Sequence, residues 1–454
     1  MGPNVLVVVT DQLRYDCLGH TSTLPVSTPN LDRLAAQGAR FTHAFTHIPL
    51  CCPARQSFLT GRRPETFGGL WNYDIGLPVA ALPPTEPTWP AALADRGYDS
   101  AYLGKWHVHP SEDPTAYGYR EYVSLDEYEQ VRAAAGLPGS LDCPWEGAVD
   151  PAPLPLARTH WFAERAASWL RDRAGPGPWH LRLDLVEPHL PCTPTREFAD
   201  RYTGVEIPPW GNFGDTFDGK PYVQRQQLLN WDVADWPWDR WREVVRHYLA
   251  VISQLDAAVG ILLAALRATG AEDDTLVVFT TDHGDLTGAH GMMDKHHVMY
   301  EEVLRVPLIL RWPGRIAPGT VVDGFAYNLL DLVPTICAAA GVPPPPGSVG
   351  RDLLAGELAR EHVVATYNGQ QFGLHTQRML RDRRWKYVWN ATDVDELYDL
   401  DADPHELTNL ARDPVHAETV ARLRKALFDT LTEEGDTQMA NDWVRAQLLH
   451  GRKW

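Results

Sequence analysis

The chain has 454 residues, 44% of them hydrophobic, with 41 basic and 59 acidic side chains and a formal net charge of −18. That length exceeds one small domain and supplies a large core with a smaller appendage, so two parts are expected, drawn at residues 1–355 and 356–454. The acidic balance excludes a general binder of nucleic acid or anionic membrane, while leaving room for an anionic small molecule held by a local cluster of Lys, Arg and His.

From the N-terminus, Met1-Gly2-Pro3-Asn4 leads straight into the apolar run Val5 to Val9, with no basic leader region and no small-residue cleavage site. The cysteines at 17, 51, 52, 143, 192 and 337 follow no metal-finger or disulfide-framework spacing. Together these features predict a cytoplasmic protein, unless it leaves the cell carried by a partner. Asn4 to Thr10 reads as a buried strand that ends at Asp11-Gln12, and Thr28-Pro29 opens a helix running to Gly38. At Cys51-Cys52-Pro53-Ala54-Arg55, Pro53 opens a short helix and Gly61 ends it. Cys51 then sits just ahead of the positive end of the helix dipole, which favours an anion, and Arg55 one turn on can reach back toward it. A buried cysteine pair at a turn is the structural alternative.

Ser100 to Leu103 is the next strand and ends at Gly104-Lys105-Trp106-His107. A helix follows from Thr159 through Trp169 toward Gly175, then a strand from Leu181 to Val186 that ends at Glu187-Pro188-His189. A long helix from Asp239 to about Thr269 contains the most apolar stretch of the chain, Tyr248 to Leu266, but Gln254 and Asp256 argue against a membrane span. Thr275 to Thr281 is a fourth strand of the same kind, ending at Asp282-His283. Continuous apolar runs of this length suit central parallel strands covered on both faces. Ligands of open α/β sheets bind beyond the carboxyl ends of the strands, so the four polar ends are expected to converge on one crevice. The Pro- and Gly-rich stretch from Gly341 to Gly347 cannot be regular structure and marks a linker. Strands at Glu361 to Tyr367, Arg378 to Leu380 and Trp385 to Trp389, with a helix around Ala417 to Leu431, suggest a small antiparallel sheet with one helix.

Asp11-Gln12 and Asp282-His283 offer two carboxylates, an amide oxygen and an imidazole at strand ends expected to be neighbours. Hard oxygens favour Ca²⁺ or Mg²⁺, and the imidazole leaves Mn²⁺ open. Taken singly, an aspartate after a strand is more often a turn or capping residue.

The pattern C-x-P-x-R-x-x-x-x-T-G from Cys51 to Gly61 resembles the signature of the type I sulfatases of the alkaline phosphatase superfamily, in which the first cysteine is oxidised to Cα-formylglycine. Cys52 lacks the proline two positions on. Gly104-Lys105-Trp106-His107 is similar to the family's G-K-W-H element, and Pro188-His189-Leu190-Pro191 to its P-H-x-P turn. Asp282-His283-Gly284-Asp285 continues through Gly288, His290 and Gly291 to Lys295, then to Tyr300-Glu301 and Arg305-Val306-Pro307-Leu308-Ile309, a block the family shares. Near the end, Glu396-Leu397-Tyr398-Asp399-Leu400 with Asp403-Pro404, Glu406 and Asn409-Leu410 resembles its architectural C-terminal signature. Gly61-Arg62-Arg63-Pro64-Glu65-Thr66 is similar to the iduronate-2-sulfatase-like branch, a weak pointer to sulfated sugars. Gln12 departs from the family's usual aspartate and is shared with related phosphonate monoester hydrolases.

The resemblance, which spans Asn4 to about Ala411, implies an alkaline-phosphatase-like α/β/α sandwich with a C-terminal α+β subdomain. It implies hydrolysis of a sulfate monoester to alcohol and sulfate. Asp11, Gln12, Asp282, His283 and the modified Cys51 would hold a divalent metal, Ca²⁺ before Mg²⁺ or Mn²⁺, and Arg55 would support the nucleophile. Formylglycine would hydrate to a geminal diol that attacks sulfur in line. Lys105 and Lys295 would contact the sulfate oxygens, and His189, with Lys295 nearby, would protonate the leaving alkoxide. His107 would then take the proton from the second hydroxyl, ejecting sulfate. His290 fits either a structural or a direct role. The implied partners are a sulfated sugar, aryl or alkyl sulfate and a formylglycine-generating enzyme, with neither nucleic acid nor membrane. Two alternatives remain: a phosphonate or phosphate mono- or diester hydrolase using the same centre, and an inactive binder of sulfated ligands. Selectivity is expected in the loops 66–78 and 209–239, and the tryptophans 231, 236, 238 and 241 either stack on a substrate or pack the core.

Overall fold

The computed structural model describes residues 2–73, 81–173, 177–356, 358, 360–370 and 373–453. Gly175, where the helix from Thr159 is expected to stop, and the loop 66–78 beyond Tyr73 lie outside the described residues.

Eight strands among the described residues form one sheet: β1 (Asn4–Asp11), β2 (Ala39–Phe45), β3 (Asp99–Gly104), β4 (Glu121–Val123), β5 (Trp179–Pro188), β6 (Thr275–Thr281), β7 (Leu308–Arg311) and β8 (Thr320–Tyr327). Their order is β4-β3-β5-β1-β6-β7-β2-β8. All neighbours are parallel except the two pairings of β7. The four strands expected to end in polar chemistry, β3, β5, β1 and β6, are consecutive, and Thr10 pairs with Thr281. Their carboxyl ends therefore form one continuous rim.

The pleat sends alternate side chains to opposite faces. In β1, Val5, Val7 and Val9 join one core while Leu6 and Val8 join the other; in β6, Leu276 and Val278 part from Val277 and Phe279 in the same way. The first core packs under the helices Cys51–Thr60 and Asn328–Ala340. The second packs under Pro29–Gln37, Arg158–Asp172 and Trp238–Ala268. The result is a sheet sandwiched between helical layers.

The 31-residue helix Trp238–Ala268 is long and apolar enough to cross a bilayer by length and composition, but most of its apolar stretch is buried inside the fold. Its two polar residues join it to neighbouring elements. Asp256 accepts from the backbone N–H groups of Asn30 and Leu31 at 3.0 and 2.8 Å, at the start of the helix Pro29–Gln37. Gln254 Oε1 accepts from the backbone N–H of Thr195 at 2.8 Å.

Strand β5 differs from the uniformly apolar run expected at 181–186. Leu181, Leu183 and Leu185 face the second core, whereas His180, Arg182 and Asp184 point to the other face and are equally buried. The polar face survives burial because Arg182 donates to both oxygens of Asp184 at 2.8 Å.

Beyond the main sheet, β9 (Val363–Tyr367), β10 (Gln377–Arg381), β11 (Trp385–Asn390) and β12 (Glu396–Asp399) form an antiparallel sheet in the order β12-β11-β10-β9, covered by the helix Ala417–Glu433. Its core residues Val363, Tyr367 and Met379 belong to the same apolar cluster as Leu329 and Val333, so the first core runs on into this C-terminal part.

Candidate active site

Residue 51 is the first residue of the helix Cys51–Thr60, every residue of which is buried. Gly61 ends that helix in the left-handed region at φ 70°, and a Cβ there would lie 2.3 Å from Ser348 Oγ, so glycine is required on both counts. The helix is seated against the carboxyl ends of β1 and β6. Donor atoms of Asp11, Cys51, Asp282 and His283 there lie within 4.8 Å of one another, all four residues buried. Cys51 Sγ is 3.6 Å from Asp11 Oδ1 and 3.2 Å from His283 Nε2. His283 Nδ1 lies 2.9 Å from the carbonyl of Gly284, which can only accept, so Nδ1 carries a proton and Nε2 faces the cluster.

The two carboxylates are held from outside. Arg55, fully buried, donates through Nε to Asp282 Oδ2 at 3.1 Å and through Nη2 to Asp11 Oδ2 at 3.1 Å. Lys105 Nζ adds a bond to Asp11 Oδ2 at 2.5 Å. With the Oδ2 atoms engaged, Oδ1 of Asp11 lies toward Cys51 Sγ, and Oδ1 of Asp282 takes the backbone N–H groups of Gln12 and His283 at 3.2 and 2.9 Å. Arg55 thus orients carboxylates instead of reaching back to Cys51. Its own position is set by Asp184, whose Oδ2 accepts from Arg55 Nη1 at 2.6 Å and from Tyr102 Oη at 2.7 Å. Lys105 is presented by Gly104 at φ 101°, where a Cβ would meet the carbonyl of Asp184 at 2.0 Å.

On the other side of the cluster, Lys295 Nζ donates to Gln12 Oε1 at 2.8 Å and to His189 Nε2 at 3.1 Å. His189 Nδ1 is 2.6 Å from the carbonyl of Leu190, which leaves the Nε2 lone pair to accept from Lys295. Asp294 Oδ1 accepts from Gln12 Nε2 at 3.0 Å, and Asp294 Oδ2 pairs with His296 Nε2 at 3.0 Å. The Gln12 carboxamide, expected to be a metal ligand, is thereby clamped between Lys295 and Asp294, its oxygen taken by the Lys295 ammonium. Gln12, His107 and Asp294 all have positive φ, at 68°, 48° and 68°. Non-glycine residues in that region cluster where a site imposes a geometry.

The electrostatics follow from these contacts. Burial alone would push the Cys51 thiol up, but Lys105, Lys295 and His283, with a hydrogen bond from His107, hold it well below its ordinary value. Burial likewise opposes charge on His283, yet Asp282 and Cys51 draw it up to about 9. Burial and the neighbouring Asp11 raise Asp282. Two carboxylates and a thiolate crowd one buried point, and the set of hard oxygens with one imidazole nitrogen, whose proton a cation would displace, fits a divalent cation.

All ten residues singled out from the sequence lie on this rim. His290 does not: it bonds Asp215 at 2.6 Å and stacks on Tyr300 at 3.7 Å, a structural role. The tryptophans 231, 236, 238 and 241 pack together with Trp145 in one cluster. The sequence reading missed Asp184, Arg182, Tyr102, Asp294 and His296. Charged residues two apart inside an apolar strand, and an acid directly preceding Lys295, were the available signals.

The sulfatase family model matches residues 3–342, and a model of the N-sulphoglucosamine sulphohydrolase C-terminal region matches 288–433. The chain is 27% identical to an arylsulfatase of Clostridium perfringens over 96% of each chain. It is 31% identical to a choline-sulfatase of Rhizobium meliloti, over 91% of this chain and 83% of that one. A solved structure of a protein in complex with its substrate D-glucosamine-2-N,6-O-disulfate superposes with a TM-score of 0.81 at 22% identity, covering 97% of this chain and all of that one.

Proposed function

The chain belongs to the sulfatase family and is a sulfuric ester hydrolase, and from that premise we propose that it cleaves a sulfate monoester to alcohol and inorganic sulfate through formylglycine at position 51. The observation that carries this reading is the meeting of Asp11, Cys51, Asp282 and His283 within 4.8 Å, ringed by Lys105, His189 and Lys295. These four residues would hold a divalent cation, Ca²⁺ before Mg²⁺ or Mn²⁺, which would supply Lewis acidity and a template for the sulfate oxygens. Formylglycine at position 51 would supply, once hydrated, two hydroxyls on one carbon, one to attack sulfur and the other to let the sulfate leave without a further water.

The chain's own residues do the rest. Lys105 and Lys295 both act on residue 51 and neutralise charge on the equatorial oxygens, where a transferring sulfuryl group carries most of it. Both stay protonated, because burial is outweighed by Asp11 at Lys105 and by Asp294 at Lys295. His189 is the group that delivers a proton to the leaving oxygen, in its protonated form with Nε2 turned from Lys295 to that oxygen. His107, which hydrogen-bonds residue 51, receives the proton released as sulfate departs. Arg55 and Asp184 act through the carboxylates and touch no reacting atom.

A phosphonate or phosphate ester hydrolase is the second reading, favoured by Gln12. The neutral amide of Gln12, 2.8 Å from Lys295 Nζ, draws less of that cation's charge away from a bound phosphoryl or phosphonyl group than a carboxylate there would.

The test is peptide mass at residue 51 in protein made with a formylglycine-generating enzyme, beside rates on matched sulfate, phosphate and phosphonate esters. The thiol is expected to be replaced by aldehyde or its hydrate, and the sulfate ester to turn over fastest. Full activity with an intact thiol would overturn the mechanism. Faster phosphonate turnover would move the assignment to the second reading, and a mature but inert protein would indicate a binder.

A further inference from the structure

Beside Lys105 and His189 the rim opens into a cavity of about 640 Å³. Most of its wall surface is apolar, formed by Leu125, Leu141, Val186, Leu190 and Pro191, with Trp145 as their aromatic member. The indole is not free to swing. Trp145 stacks on Trp236 with ring centroids 5.1 Å apart and meets Trp231 edge-on at 5.4 Å, and Leu190 packs in the same cluster. A ring locked in this way is a preformed surface for an apolar group, since binding costs it no further ordering.

The charged residues of the lining point the same way. Lys105 is paired with Asp11 at 2.5 Å, and Arg158 with Glu187 at 2.9 Å while also donating to Ser140 Oγ at 3.0 Å. Neither cation is left over for a second anionic group. The carboxylates of Asp126, Glu129 and Asp142 also line the cavity. Glu129 accepts the backbone N–H of Ser140 at 3.2 Å and Asp142 that of Gly139 at 2.9 Å, which braces the loop between them and holds both carboxylates at the wall. A substrate with several sulfates or carboxylates would bring its extra charges against these three acids.

We infer that this cavity receives the alcohol part of the ester and selects an apolar alcohol, aryl or extended alkyl, that carries no second negative charge. The inference rests on the sulfatase reading for the head group, and on the cavity alone for the selection. Trp145, Leu141 and Leu190 are its specificity-determining residues.

Binding separates the two. Cys51→Ala protein cannot mature, so butyl, hexyl and octyl sulfate, each below its micelle concentration, serve as ligands in isothermal titration. A buried methylene is worth about a fourfold change in Kd, so octyl sulfate is expected to bind at least about tenfold more tightly than butyl sulfate even if only part of its tail is enclosed. A disulfated disaccharide is expected to bind more weakly than butyl sulfate. Added to the same background, Trp145→Ala should flatten the chain-length dependence and Trp145→Phe should restore part of it. Leu141→Ser alters a side chain 65% exposed, so it should fold normally and reduce the dependence without abolishing it. A Kd independent of chain length, or tighter binding of the disulfated sugar, would overturn the inference. Should the chain-length series hold while the mature enzyme turns over no sulfate ester, the cavity assignment stands and the sulfatase reading falls. Sulfate turnover together with flat binding gives the converse.

Discussion

Replacing Arg55 with alanine tests the framework on which the whole site rests. Arg55 is fully buried and meets Asp11, Asp184 and Asp282 at 3.1, 2.6 and 3.1 Å. These three carboxylates would not suffer equally. Asp11 keeps Lys105, and Asp184 keeps Arg182, but Asp282, beyond its two backbone N–H bonds, is left with the His283 ring, 3.7 Å away, as its nearest cationic group. The cost should therefore resemble that of one broken buried ion pair, about 3–5 kcal/mol, and not three times that. Urea unfolding in EDTA, followed by tryptophan fluorescence, measures it directly. Because a divalent cation would take over the charge that Arg55 no longer balances, millimolar Ca²⁺ should stabilise the variant more than the parent. Arg55→Lys keeps the charge but cannot span three partners, and should fall in between. A variant within about 1 kcal/mol of the parent in EDTA, the range of an exposed pair, would refute this account. So would Ca²⁺ stabilising both proteins equally.

Three further outcomes are expected. His189→Ala should lose roughly 10²–10⁴-fold in kcat/KM on an alkyl sulfate and far less on 4-nitrophenyl sulfate, whose phenolate needs no proton; equal losses would hand the acid role to Lys295. Asp282→Ala should abolish most metal content and turnover, measured by elemental analysis and sulfate release, and a variant normal in both would place the metal elsewhere. Glu406 is pushed up to about 7 by burial and by Glu301 and Glu302, against the pull of Lys386. A raised carboxyl pKa means that stability present below the ordinary value of 4.5 is lost as pH rises through about 7. Glu406→Gln should therefore be about 1–3 kcal/mol more stable than the parent at pH 8 and no different at pH 4 in urea unfolding, and an unchanged pH profile would show that Glu406 does not titrate there.

Much of the site was legible in the chain because the information is local. An apolar run that stops at Asp11-Gln12 or Asp282-His283 reads as a central strand with chemistry at its end, and Pro53 and Gly61 bracket a helix that starts at Cys51. Period and punctuation survive in one dimension. Side-chain direction does not. Whether Arg55 points to Cys51 or to three carboxylates depends on which strands lie under its helix. Whether Arg182 and Asp184 face solvent or a buried ion network depends on what covers their side of β5. The reversed strand β7, the clamping of Gln12 by Asp294 and Lys295, and the apolar wall built around Trp145 all bring together residues far apart in sequence. Local pattern determined the elements and the chemical groups at their ends. Sheet order and burial, which arise only when both faces are packed at once, decided which group holds which.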